Sequence, residues 1–289
     1  MPQIINTNLA SLNAQRSTAS TQNSLQVSMQ RLSSGLRVNS AKDDAAGLSI
    51  AERMSAQVRG STVAIRNAND GISLAQTADG ALAKVGDSLQ RMRELAVQSR
   101  NATNTSADKD SLDKEFGELA KEIQRVLGGT TFNGMAILAS NSGTQTFQIG
   151  ANVTSNDRID IVTTDMTTDA TVTGVAGTDN TGAGRAVIDN TADGTTIDGV
   201  ITKIDTALDT VNGQRAVLGA SQNRFDAVIS NLQISVENQS AAKSRIMDAD
   251  YASETANLSR AQILQQAGNT MVAQANQMPQ QVLALLRGG

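Results

Sequence analysis

Between Ile65 and Ser99 apolar side chains recur at Ile65, Ala68, Ile72, Ala75, Ala78, Leu82, Val85, Leu89, Met92 and Ala96, in steps of three and four residues. This spacing predicts a long helix that buries a narrow seam against other helices, and no proline interrupts it. The same register returns far along the chain at Ile201, Ile204, Leu208, Val211, Leu218, Phe225, Ile229, Leu232, Val236 and Ile246. Arg215, Gln222, Gln239 and Lys243 fall in the intervening seam slots, where polar residues cost stability but fix register. A third, shorter run is Leu112, Phe116, Leu119, Ile123 and Val126. The pattern predicts a mainly α protein: a long antiparallel helical bundle or coiled coil built from both chain ends, with a small β-rich region in the middle.

The ends are weaker. From Asn8 to Leu36, Leu9, Leu12 and Ala19 mark one face, and Leu25, Met29, Leu32 and Leu36 mark another in shifted phase. Gly35 and the turn-forming stretch Asn39 to Gly47 break the pattern, and helix resumes near Leu48. Asn101 to Ser106 reads as a polar connector, with Ser106 or Asp108 capping a helix that ends at Gly128-Gly129. Thr146 to Gly150 and Arg158 to Val162 alternate apolar and polar residues, as short strands or a hairpin do. Thr163 to Gly199, rich in Thr, Asp, Gly and Ala, predicts a small β-rich lobe or a flexible loop. Beyond a break at Met247 to Asp250, Leu264, Ala267, Met271, Ala275, Met278, Val282 and Leu285 step again by threes and fours. Pro279 within that run is expected to bend it.

Ordering either end costs about 1–2 kcal/mol of backbone entropy per residue. Burial returns only about 1.5–3 kcal/mol for each large apolar side chain, and several seam positions are alanine. The two ends are therefore expected to complete their folding when packed against each other and against other copies of the chain.

Composition removes several functions. Aromatic residues make up 2% of the 289 residues, so slender Ala/Leu/Ile/Val packing replaces the large anchors of a globular core. Histidine and cysteine are both absent, which excludes Ser-His-Asp and Cys-His nucleophilic sites, ordinary zinc sites and disulfides. A net charge of −4 without a Lys/Arg cluster argues against nucleic acid. No apolar run is long enough to span a bilayer, and the first residues lack a basic and an apolar signal region, so export, if any, is expected without a cleaved signal. Asp43 and Asp44 are adjacent and point apart on a helix, which suits a cap better than paired catalytic carboxylates. Asp108, Lys109, Asp110 and Asp113 are only faintly like a calcium loop, lacking its glycine and terminal glutamate. N-x-S/T sequons begin at Asn101, Asn104, Asn152, Asn238 and Asn257, a pattern common by chance. No cofactor and no metal are expected.

Longer motifs carry a resemblance. Ile5 to Asn8 (INTN), Arg31 to Gly47 (RLSSGLRVNSAKDDAAG), Asn67 to Ser73 (NANDGIS), Arg93 to Ser99 (RELAVQS), Ser259 to Gly268 (SRAQILQQAG) and Val282 to Arg287 (VLALLR) closely resemble bacterial flagellin. The similarity covers about the first 165 and last 90 residues, in order, around a variable middle.

The resemblance implies a structural, non-enzymatic subunit of the helical flagellar filament. Such a protein is extracellular, exported unfolded through the flagellar type III apparatus and assembled beneath a distal cap. It implies a terminal coiled-coil domain from 1–44 and 245–289 as the inner layer. A helical bundle with a β-hairpin from 45–164 and 198–244 would surround it, leaving 165–197 as a short variable surface insert. Export information is expected from Met1 to about Leu36. The terminal assembly seam is expected at Leu25, Met29, Leu32, Leu36, Leu264, Ala267, Met271, Ala275, Met278, Val282 and Leu285. Implied partners are other copies of the chain, an export chaperone, cap and hook-associated proteins, and Toll-like receptor 5 in a host, with no nucleic acid and no membrane insertion. Carried over by position, the receptor would read Gln90, Arg91, Glu94, Leu95 and Gln98, with Glu115 on the adjoining helix. Cytosolic immune sensors would read Leu285, Leu286 and Arg287, although Gly288-Gly289 follow here. A low-copy hook-filament junction or adaptor protein sharing these helices is the alternative. A metallopeptidase in the insert is disfavoured by the missing histidines, and membrane-active ends by the lack of a dense basic face.

Overall fold

The computed structural model describes residues 7–287, and their side chains up to Met278. The seam positions Val282 and Leu285 and the sensor residues Leu286 and Arg287 therefore lie outside the described side chains. Met1 to Asn6 and Gly288-Gly289 lie outside the described residues altogether. In order, the elements are α1 (Leu9–Ser34), α2 (Ala45–Ser99), α3 (Ser106–Gly129), β1 (Thr131–Phe132), β2 (Met135–Ala136), β3 (Gly143–Gln148), β4 (Arg158–Thr163), α4 (Ala170–Ala176), α5 (Gly194–Met247) and α6 (Tyr251–Arg287). α6 is continuous across Pro279. The chain divides into two compact units, one from Gln57 to Val236 and one from the segments before and after it.

In the unit from Gln57 to Val236, the seam read from the sequence is the core. Ala68, Ala75, Ala78, Leu82, Val85, Leu89, Met92 and Ala96 of α2 are buried together with Ile204, Val211, Leu218 and Phe225 of α5. The two helices run antiparallel: Arg100 meets Asp198, Arg93 meets Asp205, Asp79 meets Arg215, and Gly71 lies under the ring of Phe225. Arg215 thus leaves the seam and pairs with Asp79 at 2.8 Å on its flank. α3 closes the core with Phe116, Ala120, Ile123 and Leu127. Its cap is Thr105, one residue before the expected Ser106: the Thr105 hydroxyl accepts from the Asp108 N–H, and the Asp108 carboxylate accepts from the Thr105 N–H at 2.9 Å. After α3, β1 and β2 form a tight hairpin through Asn133 (φ 50°) and Gly134 (φ 80°), a two-residue turn suited to the sheet twist. β3 and β4 form an antiparallel ladder from Gly143↔Thr163 to Gln148↔Arg158, with Ile159 and Ile161 turned into the core.

Residues 163–199 differ from the β-rich lobe or flexible loop expected of their composition. They hold α4 and packed loops, and Met166, Val172, Val175, Ala186 and Ile188 are buried. The Asp and Thr residues supply turn chemistry: Asp165, Asp169, Asp179 and Asp189 each accept from the N–H and the hydroxyl of a threonine two residues on. The neighbouring helices hold this segment largely by its backbone. Asp113 accepts from the Ile188 N–H, Asp110 from the Asn190 N–H, Gln124 donates to the Gly177 carbonyl and Ser99 to the Ile188 carbonyl. Arg185 adds a side-chain anchor, its guanidinium forked onto Asp113 at 2.9 and 2.5 Å.

In the second unit, α1 and α6 pair antiparallel, and the start of α2 packs with the end of α5 around Val38, Ala51 and Met247. α1 is capped by Asn8, whose side chain accepts from the Ser11 N–H, and stops at Gly35, whose φ of 72° lies in the left-handed region. The chain then bridges to the α5–α6 break: Arg37 N–H donates to the Met247 carbonyl and Ala249 N–H to the Gly35 carbonyl. Asp43 accepts from the Ser40 hydroxyl and the Ser40 and Asn39 amides, interactions that lower its pKa, and Asp44 caps α2 by accepting from the Gly47 N–H. A methyl group on Gly35 would stand 3.3 Å from the Tyr251 hydroxyl. Gly35→Ala is therefore expected to cost about 1–2 kcal/mol, chiefly for the left-handed backbone. Tyr251 is the chain's single tyrosine and there is no tryptophan, so tyrosine fluorescence during urea unfolding reads this position directly.

Candidate functional site

The α1–α6 pair closes through a different stripe from the one the large apolar residues mark. On α1 the inner positions are Ser11, Ala14, Thr18, Thr21, Leu25 and Ser28; on α6 they are Glu254, Leu258, Ala261, Gln265, Gly268, Val272 and Ala275. Both sets step by threes and fours and are buried or half-buried. Side-chain hydrogen bonds cross the seam: Asn8 donates to the Ala275 carbonyl at 2.6 Å, Ser11 to the Asn276 side chain at 2.7 Å, and Ser28 to Glu254 at 2.5 Å. Arg31 stands 3.7 Å from the other oxygen of the Glu254 carboxylate.

Of the expected seam residues, Leu25, Leu32 and Leu36 are half-buried and Ala275 is buried. Met29 (57% exposed), Leu264 (51%), Met271 (64%) and Met278 (54%) face outward, as does Ala267, and so do Leu9, Leu12 and Ile263. Most of the larger described apolar residues of the terminal helices are thus withheld from the pair itself, Leu25, Leu258 and Val272 being the exceptions within the seam. Small and hydroxylated residues let two helices approach closely, and they escape a search for leucine-type periodicity. Reading Ser, Thr, Ala and Gly at heptad spacing would have found them.

On the unit from Gln57 to Val236, the RELAVQS stretch lies on the last turns of α2. Gln90, Arg91, Glu94 and Gln98 are exposed, and Glu115 is exposed on α3. Arg91 ties the two helices, donating to Glu94 and to Glu115 at 2.9 Å each, and these carboxylates raise its pKa, Glu94 first. Arg93 reaches the other way, to Asp205 of α5 at 2.7 Å. Gln90, Arg93, Glu94, Val97 and Gln98 line one surface groove. Leu95 departs from the expected stripe: it is fully buried, because it completes the α2 seam beside Met92 and Ala96. Its side chain supports the exposed row from beneath. Asp108, Asp110 and Asp113 serve as a cap and as anchors for the insert, and no acidic cluster suited to a metal occurs among the described residues.

Long helices packed along narrow seams, with no catalytic or metal-binding cluster among the described residues and most of the larger described apolar side chains of α1 and α6 turned outward, define a structural protein. Its relatives are of that kind. A family model described as the bacterial flagellin N-terminal helical region matches residues 5–143, and one described as the bacterial flagellin C-terminal helical region matches residues 201–286. A flagellin of Halalkalibacterium halodurans is 46% identical over 284 residues, covering 98% of this chain and all of the relative; one of Bacillus subtilis is 42% identical over 306 residues, covering 98% and 99%. A solved structure of a putative flagellar hook-associated protein from Vibrio parahaemolyticus, 14% identical with a TM-score of 0.55, shares the fold over 71% of this chain and all of that one. The chain belongs to the bacterial flagellin family. It is a structural subunit of the flagellar filament and not an enzyme.

Proposed function

We propose that the chain polymerises by burying the outer faces of α1 and α6 against other copies, as the inner layer of the filament. The observation that carries this reading is the exposure of Met29, Leu264, Met271 and Met278 on one helix pair, a set that water leaves uncompensated. A polymer that continues without closing needs two different complementary faces, and α1 and α6 offer different ones. Leu264→Glu combined with Met271→Glu is expected to leave the melting of the bundle unchanged and to abolish seeded polymerisation, read by sedimentation. Polymerisation at the parent rate would remove the proposal. Export unfolded through the type III apparatus, with a chaperone and a cap, belongs to the same reading.

As a monomer, the chain is proposed to present Gln90, Arg91, Glu94, Gln98 and Glu115 to Toll-like receptor 5, with Leu95 positioning the row. Their exposure and the Arg91 bridge between α2 and α3 support this. Arg91→Ala should reduce receptor binding by tenfold or more, while Arg53→Ala, on exposed helix elsewhere, should not. The sensor reading of Leu285, Leu286 and Arg287 remains part of the proposal. A junction role at low copy number is the second reading, favoured by the fold shared with a hook-associated protein. Quantifying the chain per cell separates it from the main subunit.

A further inference from the structure

The seam between α1 and α6 repeats every seven residues, so heptad spacing alone permits pairing shifted by one repeat. Two features break that degeneracy. The first is a size key. Gly268, the only glycine of α6, faces Thr18, and a methyl there would stand 2.7 Å from the Thr18 hydroxyl oxygen. Shifting α6 by one repeat sets Ala261 or Ala275 against Thr18, and either brings that methyl. The second is a charge key. Glu254 is 7% exposed and takes its hydrogen bond from Ser28, itself 5% exposed, with Arg31 alongside. A one-repeat shift faces Ser28 with Ala261 or with the break at Met247, leaving a buried carboxylate without its donor.

We infer that Thr18–Gly268 and Ser28–Glu254–Arg31 are a two-part register lock, which rejects shifted α1–α6 pairings at a cost in the stability of the pair. The keys lie ten residues apart on α1 and fourteen apart on α6, so one shift breaks both. Where many identical chains offer α1 and α6 to one another, the same keys discriminate correct from shifted partners. The inference rests on the pairing within one chain and stands whether or not that chain polymerises.

The chain has no cysteine, so introduced pairs report contact without background. In full-length protein, Ser11→Cys with Asn276→Cys reports the observed register, and Ser11→Cys with Asn269→Cys reports the pairing shifted by one repeat. With the lock intact, mild oxidation should give the first intrachain disulfide and not the second. With the keys removed (Thr18→Ala, Ser28→Ala, Glu254→Leu), the second should rise about tenfold or more. An unlocked protein that still forms only the first would assign register to the backbone bonds of Arg37 to Met247 and of Ala249 to Gly35, and overturn the lock. A locked protein that forms both would overturn it as well. If removing the keys abolishes both disulfides, a variant with Thr18→Ala alone decides: shifted product supports the lock, and its absence shows that the keys hold the helices together without choosing their register.

Discussion

Phe225→Ala should lower the stability of the bundle by about 3–5 kcal/mol, among the largest effects of any single substitution in it. The ring is fully buried, stands edge-on to Phe147 with centroids 5.7 Å apart, and lies against the backbone of Gly71. Neither neighbour can collapse into the space. Phe147 is held by the β3–β4 ladder at its pairing with Ile159, and Gly71 has no side chain to move. Few other aromatics exist to share the load, since the chain has four phenylalanines. Urea unfolding followed by circular dichroism gives the number; a loss below 1 kcal/mol would mean that the helices close up over the cavity. The reverse change, Gly71→Ala, places a methyl 2.8 Å from the Phe225 ring and should cost about 1–3 kcal/mol by overpacking.

Asp113→Ala is expected to cost a similar amount, about 3–5 kcal/mol, because it strips the partner from a cation that stays largely buried. Only 19% of the Arg185 side chain is exposed, its guanidinium packs on Gly117, and the Ile188 N–H loses its acceptor too. The exposed pair Arg93–Asp205 is the control, and Asp205→Ala should change stability little. Burial acts to raise the Asp113 carboxyl, but the Arg185 guanidinium and the Ile188 amide outweigh it and hold the group below its ordinary value. A depressed folded pKa makes the contribution complete above the unfolded pKa of about 3.9 and lost as pH falls through the lower folded one. The stability gap between the parent and Asp113→Asn should therefore be constant near neutrality and shrink below about pH 4. A gap that persists undiminished in strong acid would show that the anchor acts through shape and not through charge.

Much of the fold was legible because α2, α5 and α3 bury large residues at regular steps. Leu82, Val85, Leu89 and Met92 could be placed in a core from spacing alone, and so could Phe116 and Ile123. The terminal pair was legible as helix but not as contact, since its seam is made of Ser11, Thr18, Ser28 and Gly268, residues that look like surface when size is the criterion. Apolar periodicity joins the two faces of that pair in one set, placing the inward Leu25 and Ala275 with the outward Met29, Leu264 and Met271. Leu95 was ambiguous for the opposite reason: it sits one position beside a seam residue, where a helix face turns from buried to exposed. The insert escaped because its order comes from few and distant contacts. Asp113 and Arg185 are 72 residues apart, and nothing local in a Thr/Asp/Gly-rich stretch indicates which carboxylate its arginine will reach.

The way that insert is held has a consequence for how the chain tolerates change. Its fastenings fall at Thr171 and Gly177 on one side and at Arg185, Ile188 and Asn190 on the other, and all four bonds that Ser99, Asp110, Asp113 and Gln124 make to Gly177, Ile188 and Asn190 grip backbone amide or carbonyl groups. Between them, Thr178 N–H closes on the Ala183 carbonyl, and Asp179 to Thr181 are exposed. Material added at that tip would leave every fastening in place, and doubling such a loop costs only about 0.6 kcal/mol. The segment behaves as a mounting bracket with a free outer edge, so new surface can be carried there without renegotiating the bundle beneath.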